Sequence, residues 1–381
     1  MAAEQQKSGQ APFDAIRRKY LSLLYQYTNR NTILYATKWT QPTESSPELV
    51  SITDEDIQGF MEVVYQLKGS SLDLIIHSPG GSAEATEAII NYLRSKFDDI
   101  RVIIPQAAMS AATMLACASN RIVMGKHSSI GPIDPQFILQ TPLGRQAVPA
   151  QAIIDQFRNA QSECQDPAKI ASWLPILSQY GPGLLVQCQN AIILSAALVE
   201  EWLTKYMFGG AQKEKAAAIA QQLASHSDHK SHRRHISLDS AQKMGLVVTE
   251  LEKDHKLQEQ VLSVYHATMH TFEGTPAVKI IENHLGRAYV KLQRAAMVSP
   301  QPQQPVVIPG QQVLKADIEL DCHRCRRKSV IQANFQKNIL MENGRFPFPK
   351  DLKFKCECGN VIDISSAKDQ LEAKVKKPIL I

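Results

Sequence analysis

Ser110 stands in Pro105–Ser119, PQAAMSAATMLACAS, an uncharged stretch of alanines and other small residues that follows an apolar run. A surface loop would carry polar side chains here, and an ordinary core helix bulkier ones. Small neighbours let a main chain and a ligand come close. The serine therefore reads either as a helix start or as a nucleophile. A nucleophilic hydroxyl needs a base to take its proton. It also needs amide donors where negative charge develops, and losing one such donor costs about 3–4 kcal/mol of transition-state stabilisation. Upstream, the run Leu72–His77 leads straight into Ser78-Pro79-Gly80-Gly81-Ser82. Two glycines at a strand-to-helix junction can expose main-chain N–H groups. The amides of Gly81 and Ala111 are candidates for that donor pair.

The elements that must position these residues are legible as periods. Ile33–Ala36, Leu72–His77, Arg101–Ile104 and Arg121–Met124 are short apolar runs. Between the second and third, Ala85, Ala88, Ile89, Tyr92, Leu93 and Phe97 recur at three- and four-residue steps, the mark of one buried helical face. The serine stretch itself reads as a helix. Alternating strands and helices imply a mostly parallel sheet with right-handed crossovers. Ligands of such sheets gather outside the carboxyl ends of the strands, where both Gly81 and Ser110 fall. From Ala150 to Ala224 the pattern is mostly helical, clearest over Ala191–Phe208. Leu238–Met244 reads as a short helix stopped by Gly245, Leu246–Val248 as a strand, and Asp254–Phe272 as a helix.

Seven cysteines divide into two groups. Cys117, Cys164 and Cys188 lie singly in apolar or amphipathic surroundings and read as small core residues. Cys322-x-x-Cys325 and Cys356-x-Cys358-Gly359 form two close pairs. Four thiolates in that pattern suit a structural, tetrahedral zinc ion. Asn343-Gly344 between the pairs is a hairpin signal. A zinc ribbon results, a fold used for contacts with protein or nucleic acid. Arg324, Arg326, Arg327 and Lys328 lean weakly toward an acidic partner.

The pieces IIHSPGGSAEA, PQAAMSAATMLACASNRIVMG and SSIGPIDPQ resemble the Clp protease and signal peptide peptidase A superfamily, which shares its fold with the crotonases. The resemblance covers about residues 15–275 and is nearest to the serine dehydrogenase proteinase branch. It implies an α/β fold of stacked ββα units with added helices, an oxyanion hole at SPGG, and a nucleophile at Ser110. Where Clp proteases carry their histidine, this chain has Gly131-Pro132-Ile133-Asp134-Pro135-Gln136, and no lysine of the signal peptide peptidase kind is found. The serine dehydrogenase proteinase branch orders its triad Ser, Asp, His. That order assigns Asp134 to orient the imidazole and His232 to relay the proton. His229 and His235 are rivals for the base, and His127 is a further alternative. Asp134 also fits a plain turn residue.

With 381 residues, 44% hydrophobic and 21% charged, the composition is that of an ordinary globular chain. The net charge of +5 is mild and favours a solvated surface over a dedicated anion-binding one. No run approaching the ~20 residues of a bilayer span stands out. The N-terminus lacks a secretory pattern, so the expectation is a cytoplasmic protein without membrane contact. The expected organisation is a flexible N-terminus (1–14), the peptidase-like domain (15–275), a helical extension (276–297), a Pro/Gln-rich linker (298–314), the ribbon (315–365) and a basic tail (366–381). The leading functional expectation is a homo-oligomeric serine endopeptidase acting on protein or peptide, with the ribbon recruiting substrate or a partner. A crotonase-like acyl-CoA enzyme and a non-catalytic scaffold that binds protein or nucleic acid through the ribbon are the alternatives. No G-x-x-x-x-G-K-[ST] loop occurs, so any ATP-driven unfoldase would be a separate chain.

Overall fold

A computed structural model describes residues 12–42, 46–141, 144–293, 314–337, 339–375 and 377–380. The expected N-terminal segment up to residue 11 and the linker up to residue 313 lie outside these. The chain divides into two compact units, Met1–Gln293 and Arg294–Ile381.

The first unit is built on a seven-stranded sheet of order β10-β5-β3-β2-β1-β11-β12, with β11 at Ala277–Asn283 and β12 at Ala288–Leu292. Strands β1 (Asn31–Thr37), β2 (Ser71–His77), β3 (Asp99–Ile104), β5 (Arg121–Met124) and β10 (Val248–Glu250) run parallel. Strands buried on both faces read as near-continuous apolar runs, which is why ILYA of β1, LII of β2 and VII of β3 are unbroken. Alternate side chains divide between two cores. Ile33, Leu74 and Val102 share one face with α2 (Asp56–Val64), α3 (Ala83–Arg94) and α4 (Ala111–Cys117). Leu34, Ile75 and Ile103 share the other with α1 (Pro12–Thr28) and, near the end of the unit, the helix His255–Gly274.

A second sheet is much smaller and matters more for the site. β4 (Ala107–Ala108) pairs parallel with β6 (Ser129–Ile130), and β6 pairs antiparallel with β9 (Ile236–Ser237). After β6 comes an antiparallel hairpin, β7 (Gln136–Thr141) and β8 (Gly144–Pro149). Helices α5 (Ala150–Glu163), α6 (Leu184–Trp202) and α7 (Lys213–Ala224) follow. Then come α8 (Leu238–Met244), ended by Gly245 at φ +99°, and α9 (His255–Gly274).

Three expectations are corrected. The expected helical extension (276–297) is not helical over its described residues, 276–293: β11 (Ala277–Asn283) and β12 (Ala288–Leu292) form a hairpin that closes the sheet beside β1. The β-branched, wholly buried run AVKIIEN favours a strand. The expected basic tail (366–381) is also part of the fold, because α10 (Ser365–Val375) buries Leu371 in the small unit's core. Its Ala367, Leu371 and Val375 recur every four residues between lysines. Finally, Leu184–Met207 is, by length and composition, apolar enough to cross a membrane, with a mean hydropathy of 1.2.

The second unit pairs β13 (Lys315–Asp321) antiparallel with β14 (Lys328–Asn334), and β14 parallel with β15 (Phe346–Pro347). β16 (Lys353–Lys355) and β17 (Val361–Asp363) form a second ladder. Asn343-Gly344 makes a turn, with Gly344 at φ +80°. The parallel pairing of β14 with β15 means it does not close a hairpin.

Candidate active site

β3 ends at Ile104, the chain turns through β4, and Ser110 follows two residues later, immediately before α4. Its backbone is held at φ +51°, ψ −121°, a sparsely populated region for a residue with a side chain. The Ser110 side chain does not cap the helix it precedes. The alanines of the stretch are explained by packing, since every residue of α4 is buried.

The glycine turn lies directly on the serine turn. Ser78 N–H donates to Ala107 O at 3.2 Å, and Met109 N–H donates to Ser78 O at 3.0 Å. A Cβ on Gly80, whose φ is +93°, would stand 2.5 Å from Met109 O and 2.7 Å from Ala111 N. The other side of the turn is held by Ile52, which donates to Gly80 O at 2.7 Å and accepts from Ser82 N–H at 3.0 Å. Ser82 then caps α3 by accepting from Ala85 N–H at 3.0 Å. Among the described residues, the N–H groups of Gly81 and Ala111 donate to no protein group. Both residues line one cavity of about 380 Å³ together with Ser110 and His232. Met114, Ile133, Phe137 and Leu194 make much of its wall apolar.

Asp134 follows β6 by four residues and is 2% exposed. Its loop is pinned on both sides, by Gly131 N–H donating to Thr113 Oγ1 at 3.0 Å and by Ile133 N–H donating to Leu223 O at 2.9 Å. His232 comes from the opposite direction, four residues before β9. Its Nδ1 donates to Asp134 Oδ1 at 2.8 Å. The ring's other nitrogen, Nε2, is then free to accept a proton. Among the described residues no hydrogen bond joins Ser110 Oγ to His232, although both line the same cavity.

The other histidines lie elsewhere. His229 is buried and donates from Nε2 to Gln222 O at 2.8 Å. His235 shares a 2.7 Å hydrogen bond between Nδ1 and Ser129 Oγ. His127 is exposed, 3.9 Å from Glu252 Oε1. His77 is fully buried below the glycine turn, and burial pushes its imidazole down to about 3, so it stays neutral there. One residue the sequence does not single out joins the site: His226 Nδ1 donates to Asp134 Oδ2 at 3.0 Å.

In the second unit, one sulfur from each of Cys322, Cys325, Cys356 and Cys358 lies within 4.8 Å of the others. Zn–S bonds of about 2.3 Å place tetrahedral ligands about 3.8 Å apart. The Cys322–Cys358 and Cys325–Cys356 sulfurs are 3.5 and 3.6 Å apart. The donor set therefore fits zinc, which would supply structural cross-linking only.

The chain matches the family described as ClpP-like SDH-type serine proteinase over residues 50–281, more than half its length. Two uncharacterized proteins of Methanocaldococcus jannaschii are 38% and 40% identical to it over 86 residues, 22% of this chain. The match spans 30% of the length of each of these relatives. Among solved structures, a mutant of the 1510-N membrane-bound stomatin-specific protease aligns with 55% of this chain and 79% of its own. It has a TM-score of 0.33 and 16% identity. A ClpP1 mutant from Listeria monocytogenes aligns with 62% of this chain and 99% of its own, with a TM-score of 0.32 and 14% identity.

Proposed function

The chain belongs to the ClpP-like SDH-type serine proteinases, and from that premise we propose that it hydrolyses peptide bonds with Ser110 as nucleophile, His232 as base and Asp134 as its orienting acid. The observation that carries this reading is His232: bonded through Nδ1 to a buried carboxylate, it turns the rest of its ring into the cavity that Ser110 lines. Ser110 Oγ would bond to the scissile carbonyl carbon while its proton passes to His232 Nε2. The carbonyl oxygen, now negative, would accept from the Gly81 and Ala111 amides. Collapse of this intermediate breaks the C–N bond, and the amine leaves with the proton from His232. Water then repeats the sequence on the acyl-enzyme and restores the hydroxyl.

The substrates are proteins or peptides, and the apolar wall of Met114, Phe137 and Leu194 suits extended chains with apolar side chains. We place the protein in the cytoplasm as a homo-oligomer. The zinc-bound cysteine unit serves as a recruiting module for substrate or partner. The experiment is cleavage of a denatured protein by the full chain and by Ser110→Ala. The substitution is expected to lower the rate by at least ~10³-fold. Equal cleavage by both would remove the proposal.

A further inference from the structure

Asp134 receives two imidazoles, and the reaction above requires one. His226 donates to Oδ2 and His232 to Oδ1, and among the described residues no other group donates to this carboxylate. His232 lines the Ser110 cavity and His226 does not. His226 can therefore reach the chemistry only through Asp134. Its placement is fixed locally. It opens the helical turn His226–His229, whose end is marked by Lys230 N–H donating to His226 O at 2.7 Å and by Lys230 at φ +59°.

We propose that His226 is a positioning residue: its bond to Oδ2 sets the plane of the Asp134 carboxylate so that Oδ1 faces His232. This rests on the reading of Ser110 and His232 as nucleophile and base. Asp134 is buried, so its two carboxylate oxygens are oriented by these two donors rather than by water. The charged groups nearby do not compete for that carboxylate. His229 is held by Gln222 O, Arg234 donates to Asp228 O, and His235 is held on Ser129. Arg233 is exposed on the same loop, and Glu84 lines the cavity from the start of α3. Helix α7 carries Lys213, Glu214 and Lys215 at the end opposite Leu223, whose carbonyl holds the Asp134 loop. Strands β4, β6, β7 and β9 carry no charged side chain.

The test is the rate at which a fluorophosphonate labels Ser110 in the full chain, measured across pH for the unaltered protein, His226→Ala and His226→Asn. Asparagine keeps a neutral donor near the place of Nδ1. His226→Ala is expected to slow labelling on the order of 10- to 100-fold at the optimum, and His226→Asn to recover most of it. Labelling of His226→Ala at the unaltered rate, or no recovery in a folded His226→Asn, would overturn the proposal. If His226→Ala fails to fold, His226→Leu, which keeps bulk without a donor, takes its place with the same two outcomes. Absence of labelling in the unaltered chain would remove the nucleophile reading and this inference together. Normal labelling of the unaltered chain with no loss in the donor-free variant removes this inference only.

Discussion

Gly80 shows how little room the site leaves. At φ +93° a side chain is strained whatever its size, and a methyl would press on Met109 O and Ala111 N, both main-chain atoms of the serine turn. Neither can yield without moving Ser110 or the Ala111 amide. Gly80→Ala is therefore expected to cost about 1–3 kcal/mol of stability by denaturant unfolding. It should also slow Ser110 labelling by roughly 100-fold, since an ångström of misplacement is enough. Full labelling in a folded variant would refute the close approach. At this scale the sequence was readable where chemistry demands small residues, as at Gly80, Gly81 and the alanines around Ser110. It was not readable among the histidines. His226, His229, His232 and His235 recur every third residue and look alike, yet the first and third reach Asp134 while the second bonds to Gln222 and the fourth to Ser129. Nothing in HSDHKSHRRH announces that division.

Three two-residue strands bring Ser110, Asp134 and His232 to one place, and the antiparallel entry of β9 lets the histidine arrive last in the chain. Elements so short have no period to read, whereas β1, β2, β3 and β5 stand out because a strand covered on both faces must be apolar along its length. The hairpin β11–β12 was missed for a related reason. Its run AVKIIEN contains Lys279, which argues against burial until its partner is known. Lys279 Nζ donates to both oxygens of Asp56 at 2.6 and 2.8 Å and to Ser51 O at 2.8 Å. Tyr35 OH and Thr53 N–H donate to the same carboxylate. The network thereby fixes Ser51–Thr53, the segment whose Ile52 grips the glycine turn. Removing one partner leaves a lone buried charge. Asp56→Ala is expected to cost about 3–5 kcal/mol in denaturant unfolding. A loss below ~1 kcal/mol would mean the pair is not desolvated as described.

The whole chain joins two designs that fold for different reasons. The first unit is large enough to be held by an apolar core on each face of the sheet. The second has one small core that includes Cys322 and Cys356, and a module of that size needs a staple such as zinc. Their division was legible in VSPQPQQPVVIPGQQV, which is dominated by Pro and Gln and has few large apolar residues. The end of the first unit at Gln293 was not, because the last two strands looked like an appendage. Since the chain is a ClpP-like SDH-type serine proteinase by family, the claim most exposed to test is that its reactive group is the Ser110 hydroxyl. Full-length protein treated with a serine-reactive phosphonate should carry one adduct, located by peptide mass mapping on Ser110 and lost in His232→Ala. An adduct on another residue, or none on folded protein, would contradict the account.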